Sequence, residues 1–196
     1  MKKYEEVKKL SFQNLIGISE KTISIHHDKL YAGYVQKWQE IQEKLKTIDK
    51  ASANATFSDL RELKLEESFA ANAIILHEAY FDILGGRGKM EGEIVKAIEK
   101  DFGSFEKWLE DFKALGLCSR GWTVLGYDFN DGKLRNFLLD AHNFYGIWGA
   151  SPILVLDMYE HAYFIDFGAD KKSYIETFFQ NLNWQVINKK FQKIIR

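Results

Sequence analysis

The chain of 196 residues has one cysteine, one proline and five histidines, and its 27 basic side chains are balanced by 28 acidic ones. A lone cysteine, Cys118, excludes an intramolecular disulfide and fits a reducing compartment. Its neighbours Leu115-Gly116-Leu117 are apolar and no Cys-x-x-Cys pattern surrounds it, so it is expected to be a small buried hydrophobe and not a nucleophile. One proline and 14 glycines exclude a proline-rich or low-complexity chain. A formal net charge of −1 argues against nucleic acid as the main partner, because phosphate binding needs a surplus of Lys and Arg. No segment approaches the roughly 18 to 20 apolar residues of a membrane span. The start, Met1-Lys2-Lys3-Tyr4-Glu5-Glu6, leads into no apolar run and is not read as a secretory signal, so a soluble, cytoplasmic protein is expected. What is present is a 46% apolar share, near the globular average and enough for one domain or two small ones.

The first half of the chain has helical spacing. Ser19 can cap a helix beginning Glu20-Lys21-Thr22, with Glu20 where the helix dipole favours an acid. From there Ile23, His26, Leu30, Tyr34 and Trp38 mark one face of a long helix. Lys44 to Phe57 is polar or small and reads as a connection, and a second long helix is predicted from about Leu60 to Leu84. On it Phe69, Ala73, His77 and Phe81 share one line, and Gly85-Gly86-Arg87-Gly88 stops it.

Beyond that break, two shorter helices are predicted over Glu91–Asp101 and Phe105–Leu115, the second capped by Ser104. Gly121 to Tyr127 reads as a strand, Asn130-Asp131-Gly132 as a hairpin turn and Leu134 to Asp140 as the returning strand. The apolar run Ile153 to Leu156 suits a buried strand ending at Asp157, and Lys172 to Ile195 returns to helical spacing. The predicted fold is α+β: an antiparallel long-helix hairpin over residues 1–87, then a mixed α/β domain over 88–196 with a small three-stranded antiparallel sheet.

Taken singly, a histidine on an apolar stripe is more often a hydrogen-bonded core residue than a ligand. Here His26 and His77 lie on the apolar stripes of two separate helices, and Asp157-Met158-Tyr159-Glu160-His161 follows a buried strand. Three histidines in apolar context and a strand-end aspartate form a candidate site of three imidazoles and one carboxylate, suited to Fe, Mn or Zn.

The segment from Asp157 through Tyr163 resembles the DxWEHAYY signature of the iron/manganese superoxide dismutases. Ile25-His26-His27-Asp28-Lys29 with Tyr34-Val35, His77 before the glycine break, Phe102-Gly103-Ser104-Phe105, Gly121-Trp122-Thr123 and Asn183-Trp184-Gln185-Val186 also match in order. The resemblance implies one Fe or Mn ion per subunit, held by His26, His77, Asp157 and His161, with a solvent molecule as fifth ligand. It implies the disproportionation of superoxide to dioxygen and hydrogen peroxide by alternate oxidation and reduction of that ion. Tyr34 matches the gateway tyrosine of the substrate funnel, Trp122 an aromatic wall, and Glu160 a glutamate that bonds the partner subunit's ligand histidine. A homodimer or homotetramer is thereby implied. The residue that bonds the metal's solvent is a glutamine in most of the family. Its helix position is Ala73 here, and its loop position, counted back from Pro152, falls on His142, which takes the solvent-gating role.

Several residues depart from the family pattern. Leu30 and Phe164 replace a histidine and a tyrosine that bond across the dimer, and removing both partners of a hydrogen bond can be nearly neutral. Val124 and Tyr159 stand where tryptophans are usual, and Leu76 replaces an asparagine, while Asp28 and Lys29 read as a solvated face. The alternative function is a metal-binding or structural scaffold with weak or altered activity, against which retention of all four ligands speaks.

Overall fold

The computed structural model describes residues 4–196; the start of the segment from Met1 that is not read as a secretory signal, Met1-Lys2-Lys3, lies outside the described residues. Ser19 caps α1 (Glu20–Ser24), its side-chain oxygen accepting the Thr22 N–H at 3.1 Å. The chain continues through a π-helical segment, Ile25–Tyr31, into α2 (Ala32–Thr47). The Ala32 N–H reaches back five residues to the His27 carbonyl. That wider turn shifts the buried face, so Tyr31 is 1% exposed while Leu30 is only half-buried. The evenly spaced line through Leu30 is corrected accordingly. Lys44 to Thr47 likewise belong to α2 and not to the connection.

Ser58 caps α3 (Asp59–Asp82), accepting the Arg61 N–H. Gln42 bonds Glu67 and Tyr31 bonds Glu78, so numbers fall along one helix as they rise along the other and the pair is antiparallel. Ala73, His77 and Phe81 are buried on α3 as their spacing predicts, with Phe69 half-buried. Gly85 follows at φ +82°, and Phe12 Cβ lies 2.4 Å from where its own Cβ would stand, so only glycine fits.

Helices α4 (Glu93–Phe102) and α5 (Phe105–Cys118) lead into β1 (Trp122–Asp128), β2 (Lys133–Leu139) and β3 (Ala150–Asp157). The sheet is antiparallel in the order β2-β1-β3, with Trp122 opposite both Leu139 and Asp157. Consecutive residues of β1 and β3 are buried, which means that helices cover both faces. A 3₁₀ turn (Glu160–Ala162), α6 (Phe164–Phe167), α7 (Lys171–Gln180) and α8 (Trp184–Ile194) close the chain. Among the described residues no helix is long and apolar enough to cross a membrane.

One apolar cluster runs from Ile18 to Phe191 and joins the hairpin to the sheet. Trp108, wholly buried, contributes about 1.5–3 kcal/mol by the scale for a large apolar side chain, and its indole N–H is satisfied by Asn136 at 3.1 Å. Cys118 departs from expectation because it is exposed. Helix α5 runs on through it, and the turn buries Gly116 while Leu117 and Cys118 face outward.

Candidate metal centre

Four elements each deliver one side chain to the same point. His26 comes from the π segment, His77 from the middle of α3, Asp157 from the end of β3 and His161 from the 3₁₀ turn. One potential ligand atom of each lies within 4.8 Å of the others. Asp157 Oδ2 stands 3.0 Å from His26 Nε2, 3.2 Å from His161 Nε2 and 3.7 Å from His77 Nε2. The other carboxylate oxygen accepts the Tyr159 N–H at 2.9 Å, which orients the group.

Hydrogen bonding also sets the His77 imidazole. His77 Nδ1–H donates to the Ala73 carbonyl at 2.7 Å, so Nε2 carries the lone pair and points at the cluster. Both ring nitrogens of His26 and Nε2 of His77 are wholly buried without a hydrogen-bond partner, and His26 Nε2 faces Asp157 in a geometry that makes no hydrogen bond. A buried polar atom left so costs about 1–3 kcal/mol. Two such atoms converging on a buried carboxylate, with a third imidazole beside them, fit a single transition-metal ion of the Fe, Mn or Zn kind.

The electrostatics favour ligand-competent states. Burial holds His26 and His77 below the usual histidine range, despite the attraction of Asp157. For Asp157 burial acts upward, but the His161 charge, the His161 hydrogen bond and the His26 ring 3.0 Å away outweigh it and keep the carboxyl ionised. His161 is raised: burial lowers it and Asp157 more than compensates. A metal ion held here would displace a proton carried by His161 Nε2.

A second chain of contacts flanks the cluster. Trp122, 0% exposed, donates its indole N–H to His142 Nδ1 at 2.9 Å. An accepting Nδ1 leaves the proton of the neutral ring on Nε2, which lies 3.0 Å from the Tyr34 hydroxyl oxygen and donates to it. Burial pushes His142 down to about 4, and Tyr34 is raised by burial and then by Asp157. Tyr34 is half-buried, with its ring 5.5 Å from that of His77.

The structure therefore brings His26, His77, Asp157, His161, Trp122, His142 and Tyr34 together. Glu160 sits exposed on the turn beside them. Leu30 is half-buried and Phe164 exposed. The structure adds contacts to two residues that the sequence reading names only as departures from the family pattern. Tyr159 stacks on His161 at 5.4 Å and lies 5.0 Å from His142, so it walls the cluster. The Ala73 carbonyl fixes the His77 tautomer, which its place four residues earlier on the same helix signals. Where Val124 lines the sheet, a cavity of about 440 Å³ opens beside His142, bordered also by Phe137, Leu139, Asn143 and Pro152.

Residues 16–85 match the alpha-hairpin domain model of iron/manganese superoxide dismutases, and residues 90–190 match the C-terminal domain model of the same proteins. The chain is 42% identical to a superoxide dismutase [Fe] of Aquifex pyrophilus, over 99% of this chain and 93% of the relative. It is 43% identical to a superoxide dismutase [Fe] of Aquifex aeolicus, over 94% and 89%. A superoxide dismutase [Mn] 1 of Halobacterium salinarum is 33% identical over 90% and 88%. With both domain models matched in order and such relatives covered over most of their length, this chain belongs to the iron/manganese superoxide dismutase family.

Proposed function

We propose that the protein disproportionates superoxide to dioxygen and hydrogen peroxide, with one Fe or Mn ion held by His26, His77, Asp157 and His161. The two buried, unpartnered Nε2 atoms aimed at the Asp157 carboxylate carry this reading. The bound ion supplies a one-electron redox couple; the rest is done by side chains. Asp157 provides the anionic ligand and the three imidazoles are neutral donors. Trp122 excludes water and locks His142 in one tautomer through its N–H. His142, neutral and donating from Nε2, orients the Tyr34 oxygen as an acceptor. The Tyr34 O–H is then the free donor of the chain, able to hand a proton toward reduced superoxide at the half-buried mouth of the site.

Glu160, exposed beside His161, reaches the partner subunit's His161 in a homodimer, or in the dimers of a homotetramer. Leu30 and Phe164 form an apolar substitute for a polar contact across that interface. The two units, 1–87 and 88–196, meet at the glycine break, and the protein works in the cytoplasm. Metal analysis with a superoxide-consumption assay tests the activity. The expected result is one ion per chain with rapid consumption, both lost in His161→Ala. Metal-loaded protein without consumption would overturn it in favour of a scaffold.

A further inference from the structure

His27 is the one histidine with no part in the site, and its bonds lead to the N-terminal segment. Its Nε2–H donates to the Lys8 carbonyl at 2.8 Å, and its Nδ1 lies 2.6 Å from Asp28 Oδ1. The Lys8 N–H donates to the Tyr31 hydroxyl oxygen at 3.0 Å, and that hydroxyl donates to Glu78 Oε1 at 3.0 Å. Lys8 Nζ meets Asp82 Oδ1 at 2.6 Å. One residue thus ties the π segment to α3 through its N–H, its carbonyl and its ammonium. Elsewhere the segment is held too: Gln39 donates to the Glu5 carbonyl, and Asn181 bonds both the Ile16 N–H and carbonyl at 2.8 Å.

His27 directly follows His26, and Glu78 directly follows His77. Adjacent helical residues point in different directions, so each helix turns a metal ligand inward and a clasp residue outward from the same turn. Tyr31 also stacks on the His77 ring at 6.2 Å and 20°. We propose that the clasp formed by Lys8, His27, Tyr31, Glu78 and Asp82 is a positioning device that fixes the spacing of the helices carrying His26 and His77 and so slows loss of the metal. The proposal rests on the metal centre described above. Metal–ligand distances tolerate only about 0.2 Å, so a bond network gripping both ligand-bearing turns acts on retention even though it touches no ion.

Tyr31→Phe keeps the ring and removes the hydroxyl that joins Lys8 to Glu78. Metal-free wild-type and variant proteins are loaded with Mn(II), challenged with excess chelator, and compared by release rate, by the EPR spectrum of the bound ion and by thermal unfolding without metal. Tyr31→Phe is expected to release Mn(II) about tenfold faster, the scale for residues supporting metal ligands, with an altered EPR spectrum. Glu78→Gln, which keeps an acceptor for the Tyr31 hydroxyl, is expected within about twofold of wild type on that scale. Wild-type release and an unchanged spectrum in Tyr31→Phe, with only a lower melting temperature, would overturn the proposal. Should Tyr31→Phe fail to fold, Glu78→Ala at its half-buried position is read by the same two outcomes. Failure of the wild-type protein to take up either Mn(II) or Fe(II) would instead overturn the metal centre.

Discussion

Replacing Trp122 by phenylalanine separates the packing of the wall from its hydrogen bond. The variant removes the N–H that donates to His142 Nδ1 at 2.9 Å. Trp122 is 0% and His142 2% exposed, so bulk water does not take the donor's place. A stranded acceptor costs about 1–3 kcal/mol, and the smaller ring adds a packing loss. For 196 residues each kcal/mol moves Tm by about 2–4 °C, so a fall of roughly 2–12 °C is expected from the hydrogen bond alone. The more specific effect is on the proton. Without the indole N–H, His142 is free to carry its proton on Nδ1, and Nε2 then accepts from Tyr34 and turns that hydroxyl away from its donor role. Nitrogen-15 NMR of histidine-labelled, metal-free protein reads the tautomer directly. Wild type is expected to show pure Nε2–H at His142, and Trp122→Phe a mixture with reduced turnover. His142→Gln offers a carbonyl to Trp122 and an amide N–H to Tyr34, so it is expected to cost about 1 kcal/mol or less. An unchanged tautomer and an unchanged Tm in Trp122→Phe would refute the reasoning.

Further outcomes follow from neighbouring features. His142 titrates at about 4 in the fold against 6.5 ordinarily, so the unfolded chain binds the extra proton between those values. Its contribution, at most about 3 kcal/mol, is present above pH 6.5 and is lost as pH falls toward 4. Denaturant titrations of metal-free wild type and His142→Gln should therefore converge toward acid, and parallel curves would contradict the buried, neutral ring. In the proposed homodimer, Glu160→Ala is expected to raise the dissociation constant by about 30-fold or more, the effect of stranding a buried charge partner, and sedimentation showing unchanged association would remove Glu160 from that proposed interface. Val124→Phe grows into the cavity of about 440 Å³ and is expected to leave chemical stability unchanged or higher, whereas overpacking would lower it by about 1–3 kcal/mol.

The parts of the fold legible in the sequence are those set by local chemistry. Ser19 and Ser104 cap the helices they precede, and Gly85 stands at a φ that its neighbours' space forbids to other residues. His26 and His77 could be placed on apolar stripes, and Asp157 at a strand end, because burial follows the helical and strand periods. Three features were not legible. The π segment breaks the 3.6-residue period it sits in, which moved burial from Leu30 to Tyr31. Cys118 has apolar neighbours but falls on the outward side of a helix that runs on past Leu115. The Lys8 contacts join residues 23 and 74 positions apart, and no local pattern encodes such pairs. The Trp122–His142–Tyr34 chain lay between: the resemblance picked out its members, and only the fold gave the direction of its protons.

The central claim is that one redox-active ion sits among His26, His77, Asp157 and His161. Anomalous diffraction from crystals of the protein purified with its metal, collected on both sides of the iron and manganese edges, tests it most directly. The expected result is a single peak per chain, bonded to the Nε2 atoms of the three histidines and to Asp157 Oδ2. A peak at other residues, or a metal-loaded crystal with that position empty, would contradict it.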